Sequence, residues 1–111
     1  SESAVEALAN MVAFGELPRL ETLVLNWSRV PHLTALLKAL AAGGCPRMRR
    51  LDLSHVPIAN EGGSARAVEL AVAGMPRLAF LGVAGDTGIS PADWGELRKA
   101  VADRPRFTLR L

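Results

Sequence analysis

The sequence predicts an α/β fold: a right-handed solenoid segment with short parallel strands on its concave face and helices on its convex face. Three observations predict it. Four segments opening on Pro-Arg recur at near-equal intervals. Within each, apolar residues sit two apart, as on a half-buried strand. Between segments, the apolar period changes to that of a helix.

The four segments read LPRLETLVL (17–25), CPRMRRLDL (45–53), MPRLAFLGV (75–83) and RPRFTLRL (104–111). Their prolines, Pro18, Pro46, Pro76 and Pro105, are 28, 30 and 29 residues apart. Chance can supply one such pair, but not three near-equal intervals with matching flanks. Leu20, Leu23 and Leu25 form L-x-x-L-x-L, and Met48, Leu51 and Leu53 repeat it, as do Leu78, Leu81 and Val83. The last two of each set share strand parity and face inward. The alternating residues then face solvent on the concave surface: Thr22, Val24 and Asn26; Arg50, Asp52 and Ser54; Phe80, Gly82 and Ala84. The final unit drops a residue and reads as plain alternation from Phe107 to Leu111.

Helices fill the intervals. The chain opens with one capped near Ser3, burying Val5, Leu8 and Val12. Leu33, Leu36, Leu37 and Leu40 make one helical face, with Pro31 placed for a first turn and Gly43-Gly44 ending the helix. A third helix is expected from about Ser64 to Ala73, burying either Ala67, Leu70 and Ala71 or Val68 and Val72. Ser90-Pro91-Ala92-Asp93 supplies an N-cap, a first-turn proline and an acid three residues on, and Trp94, Leu97 and Val101 share the buried face behind it. Strands alternating with helices imply parallel pairing through right-handed crossovers. Residues 1–111 therefore read as one repeat domain of about four units. Neither end shows a polar capping unit, which predicts a piece of a longer array or a short array sealed by a partner.

These residues resemble the leucine-rich repeat family, and the repeat length points to its ribonuclease-inhibitor-like subtype. MRRLDLS (48–54), followed by VPIANEGGSARAVELAVAG (56–74), is similar to that subtype's strand, turn and helix. The similarity runs from about Val5 to Leu111. The family places Asn or Cys three residues after the second strand leucine, where this chain has Ser28, Val56 and Asp86. The resemblance implies a non-catalytic protein-binding module, a scaffold or an assembly subunit. It also admits two other roles: a GTPase activator, which in one branch of the subtype needs a long array, and the substrate-reading part of a ubiquitin ligase.

Composition narrows the setting. Half the residues are hydrophobic, aromatics are few and tyrosine is absent. The most apolar stretch, 33–42, is broken by Lys38 and falls short of the ~18 residues of a membrane span. The N-terminus lacks the basic start and apolar core of a secretory signal. Cys45 is the only cysteine, which excludes an intrachain disulfide and a cysteine-based metal site and suits a reducing, cytoplasmic compartment. Only Cys45, His32 and His55 suit near-neutral proton or nucleophile chemistry. Asp52 and His55 are close in sequence, but no nucleophile is evident beside them. Cys45, before a proline, reads as a packing residue. No enzyme activity, metal or cofactor is expected.

The candidate partner-binding residues are those of the concave face: Thr22, Val24, Asn26, Arg50, Asp52, Ser54 and Phe80. Phe80 is the preferred anchor, because its parity puts it where no core demands an aromatic. Trp27 shares parity with Leu25 and reads as packed at the strand-to-helix turn rather than as an anchor. Arg50 and Asp52 form either a charged pair for a partner to read or a solvated intrastrand pair. Arg19, Arg47, Arg77 and Arg106 hold equivalent positions, so stacking aligns them in a column. That column is either a basic stripe for an acidic protein or a nucleic acid, or repeated use of arginine stems to cover apolar surface. Net charge, +2, does not by itself imply nucleic acid. Asn26-Trp27-Ser28 matches a glycosylation sequon by coincidence.

Overall fold

The computed structural model describes residues 2–25, 33–85 and 87–111, and the side chains of these except 2–5 and 61. The elements run α1 (Glu2–Ala13), β1 (Thr22–Val24), α2 (Leu33–Ala41), β2 (Arg50–Asp52), a 3-10 turn (Ile58–Glu61), α3 (Ala65–Ala73), β3 (Phe80–Gly82), α4 (Pro91–Ala100) and β4 (Thr108–Arg110). The strands form one parallel sheet in chain order, β1-β2-β3-β4. The four Pro-Arg segments therefore lie side by side. Thr22 pairs with Arg50, Arg50 with Phe80 and Phe80 with Thr108.

Each Pro-Arg sets up its strand. The amides of Leu20, Met48 and Leu78 donate to the carbonyls of Leu17, Cys45 and Met75 at 3.3, 3.2 and 3.0 Å. Proline suits the second position of such a turn because its ring already holds φ near the value required. In the fourth unit Arg106 takes φ +60, and one residue fewer separates proline from strand. This unusual backbone absorbs the missing residue, so Thr108 still meets Phe80 in register.

The helices form a row, each packed on the next, and the core fills the space between that row and one face of the sheet. Leu51 and Leu81 are fully buried, together with Leu33, Leu36, Leu37 and Leu40 of α2. At the outer strands Leu23 and Leu109 are half-buried against the same core. Burying each such leucine contributes roughly 1.5–3 kcal/mol. The open choice on α3 resolves to Val68 and Val72 with Ala65 and Ala71, which leaves Leu70 46% exposed. Trp94 and Leu97 on α4, and Val101 at its C-terminal cap, are buried as expected.

Caps explain where the helices stop and start. The Ala67 amide donates to Ser64 Oγ at 3.1 Å, and the Asp93 amide to Ser90 Oγ at 3.2 Å. α2 ends where Gly43 takes φ +88, a left-handed conformation that glycine adopts without steric cost. The Gly43 and Gly44 amides then satisfy the Leu40 and Ala39 carbonyls. α1 already includes Glu2, so Ser3, near which the cap was expected, lies inside the first helical turn. Pro31 is outside the described residues, as are Asn26, Trp27, Ser28, His32 and Asp86.

Two positions break the repeat's pattern informatively. Cys45 and Met75, each before a proline, are fully buried, and burial pushes the Cys45 thiol above its ordinary pKa. The equivalent residue in the fourth unit is Arg104. It turns back to donate to the Val72 and Met75 carbonyls at 2.8 and 2.9 Å, closing the C-terminal end of α3. Val56, where the family resemblance expects an amide or thiol, is fully buried. An apolar side chain there packs in place of a hydrogen-bonding ladder.

Candidate functional site

The face of the sheet turned away from the helices carries the candidate residues in two rows. Strand register sets both. Thr22, Arg50, Phe80 and Thr108 form the leading row; Val24, Asp52, Gly82 and Arg110 form the trailing one. Between them runs the inward row of leucines. Parity therefore puts Thr22, Val24, Arg50 and Phe80 where the sequence placed them. Thr22 and Arg50 are exposed, Val24 is 48% exposed and Phe80 is half-buried.

Asp52 and Ser54 depart from expectation: both are buried. The Ser54 amide donates to Asp52 Oδ1 at 3.0 Å, and Ser54 Oγ accepts from the Ala84 amide at 3.3 Å. The space that admits them comes from Gly82. A Cβ there would stand 2.5 Å from Asp52 Oδ1 and 2.9 Å from Ser54 Oγ. Thus Asp52 and Ser54 are backbone-tethered residues folded down over a glycine, not free recognition groups. Asn26, the third candidate in that position, lies outside the described residues.

Arg50 joins the two rows. Its guanidinium lies over the Phe80 ring, 4.1 Å from the centroid, and its Nη2 is 4.0 Å from Asp52 Oδ2. Both contacts restrict a side chain that is still 48% exposed. Stacking on a ring face contributes about 0.5–1 kcal/mol at an exposed site, and an ion pair at this separation about 0–1 kcal/mol. Their effect on geometry is larger, because they hold a charged planar group ready-oriented at the centre of the face. Sequence parity found Phe80 and Arg50 separately. It missed that they touch, although 30 residues of spacing between equivalent units carried that information.

Arg19, Arg47, Arg77 and Arg106 all lie exposed in the turns that lead into the strands. The stretches from each proline to its strand end, 18–25, 46–54, 76–84 and 105–111, hold seven arginines, no lysine and two acids; the rest of the chain holds six basic and nine acidic residues. Charge is therefore segregated toward the strand side although the net charge is small. Both acids on that side are engaged: Glu21 pairs with Arg49 at 3.2 Å and Asp52 with Arg50. Arg19, Arg47, Arg77, Arg106 and Arg110 make no ion pair among the described residues.

His55 takes φ +63 beside Gly85, whose added Cβ would meet its ring. Cys45 is sealed in the core. Among the described residues there is no group of three or more His, Cys, Asp or Glu able to hold a metal ion. No helix there is long and apolar enough to cross a membrane. Depressions also lie on the helix side. One is lined by Ser64, Arg66, Glu69, Asp93 and Glu96, and its arginine is already paired with Glu69 at 2.9 Å.

Comparison of the chain with family models, with curated proteins and with solved structures finds no match in any of the three.

Proposed function

We propose that the chain is a protein-binding module, a leucine-rich-repeat solenoid segment of the ribonuclease-inhibitor-like kind, whose open strand face is its binding surface. The observation that carries this reading is the Arg50–Phe80 stack, with Val24 exposed nearby on the same face. An aromatic and an arginine held together on an otherwise short-chained surface have the composition of a binding hot spot. The equal spacing of the Pro-Arg units and their consecutive parallel pairing support the repeat reading. A single buried thiol fits a reducing, intracellular setting.

The mechanism is presentation, not chemistry. A surface held by backbone pairing loses little conformational entropy on binding, so its contacts convert efficiently into affinity. The test uses a photo-crosslinking residue placed at Val24 or, as control, at Leu70 on α3, in the cell of origin. A partner crosslinked from position 24 and not from position 70 should lose at least about tenfold in affinity for Phe80→Ala or Arg50→Ala. A partner captured only from position 70, or one indifferent to both alanine variants, assigns binding to the helix side and overturns the reading.

A further inference from the structure

We infer that the strand side takes an acidic segment of a partner polypeptide, read by arginines from all four units. This rests on the proposed binding role of that face and specifies its ligand. The carrying observation is the imbalance left after internal pairing. Glu21 and Asp52 are the only acids in the four proline-to-strand stretches, and both already face an arginine. Five further arginines there have no carboxylate among the described residues. Strand register brings the turns of Arg19, Arg47, Arg77 and Arg106 next to one another, about 4.8 Å apart from strand to strand, while Arg110 lies on β4. Such a row of like charges repels itself and is relieved by an anionic ligand.

The chemistry favours carboxylates on a protein over phosphates on a nucleic acid. Every cation in these stretches is arginine, whose planar fork matches a carboxylate with two parallel hydrogen bonds. That fork also suits phosphate, so the neighbours decide. Single-stranded nucleic acid needs bare aromatic platforms for its bases. Among the described residues this face has one such ring, Phe80, and Arg50 already covers a side of it. Val24, exposed in the trailing row, offers an apolar contact that suits a side chain and not a sugar-phosphate backbone. The ligand is therefore an acidic stretch with an apolar residue among its acids.

The probe is a fluorescent oligoglutamate peptide titrated with the full chain at low salt, with oligothymidylate as a parallel ligand. The peptide should bind, weaken as salt screens the charges, and bind more tightly than the oligonucleotide. The double variant Arg47→Glu with Arg77→Glu should lose at least about tenfold in peptide affinity, since both turns are exposed and leave the core untouched. The control, Lys38→Glu with Arg98→Glu, makes the same change in net charge on the helices and should cost less than about threefold. Circular dichroism checks that both fold. Equal losses in the two doubles would reduce the effect to net charge and overturn the inference. So would tighter binding of oligothymidylate, or no binding of the peptide. None of these touches the protein-binding role itself, which stands or falls with the crosslinks from position 24 and the Phe80→Ala variant.

Discussion

The two rows of the open sheet face have the same parity and different fates. In the leading row, Thr22, Arg50, Phe80 and Thr108 present side chains outward. In the trailing row, the centre has closed down: Asp52 lies over Gly82 and holds the Ser54 amide, and only Val24 and Arg110 at the outer strands remain exposed. The rows differ because a side chain's direction is set by the strand, while its accessibility is set by what the neighbouring strand lacks. A glycine on β3 opens a slot, and an adjacent carboxylate with an unsatisfied backbone amide nearby fills it. The leading row stays accessible to solvent, and the trailing row contributes to stability.

The largest effect expected from this contrast is at Gly82. Gly82→Val would force its Cβ into Asp52 Oδ1 and Ser54 Oγ. It should lower unfolding free energy by about 1–3 kcal/mol, as overpacking does. The midpoint of chemical denaturation measures this, and a neutral result would mean that the two rows do not differ. Next is Asp52→Ala, which leaves the buried Ser54 amide without its acceptor and should cost about 1–3 kcal/mol. Asp52→Asn keeps an acceptor in place and should recover most of the loss. If Asn is as damaging as Ala, charge and not the tether matters at this position.

Smaller still is the effect of Arg50→Ala on stability. It removes a ring contact and a weak ion pair at an exposed site, so the loss should stay below about 1.5 kcal/mol. The same variant should weaken partner binding far more than Asp52→Asn does. A variant that unfolds the chain without selectively affecting binding would assign Arg50 to the scaffold. The smallest effect is at the edges of the leading row, where Thr22→Ala and Thr108→Ala should each change stability by less than about 0.5 kcal/mol. Thermal denaturation of the two single variants tests whether this row is as independent of the fold as its exposure indicates.

Much of the fold follows from residues whose meaning is local or periodic. Proline presets a turn wherever it stands, so the spacing of Pro18, Pro46, Pro76 and Pro105 marks the strand starts and their order. Ser64 and Ser90 cap helices because a hydroxyl meets an amide three residues ahead, a relation contained within one turn. The strand leucines face inward by parity alone. Other features depend on residues about 30 positions apart and take their character from a neighbour. Asp52 looks like a surface acid until Gly82 lies beside it; Arg104 looks like another surface arginine until the end of α3 lies within its reach. Alternation specifies a direction, but desolvation depends on the volume of the facing side chain, and only the assembled sheet sets glycine against aspartate and arginine against phenylalanine.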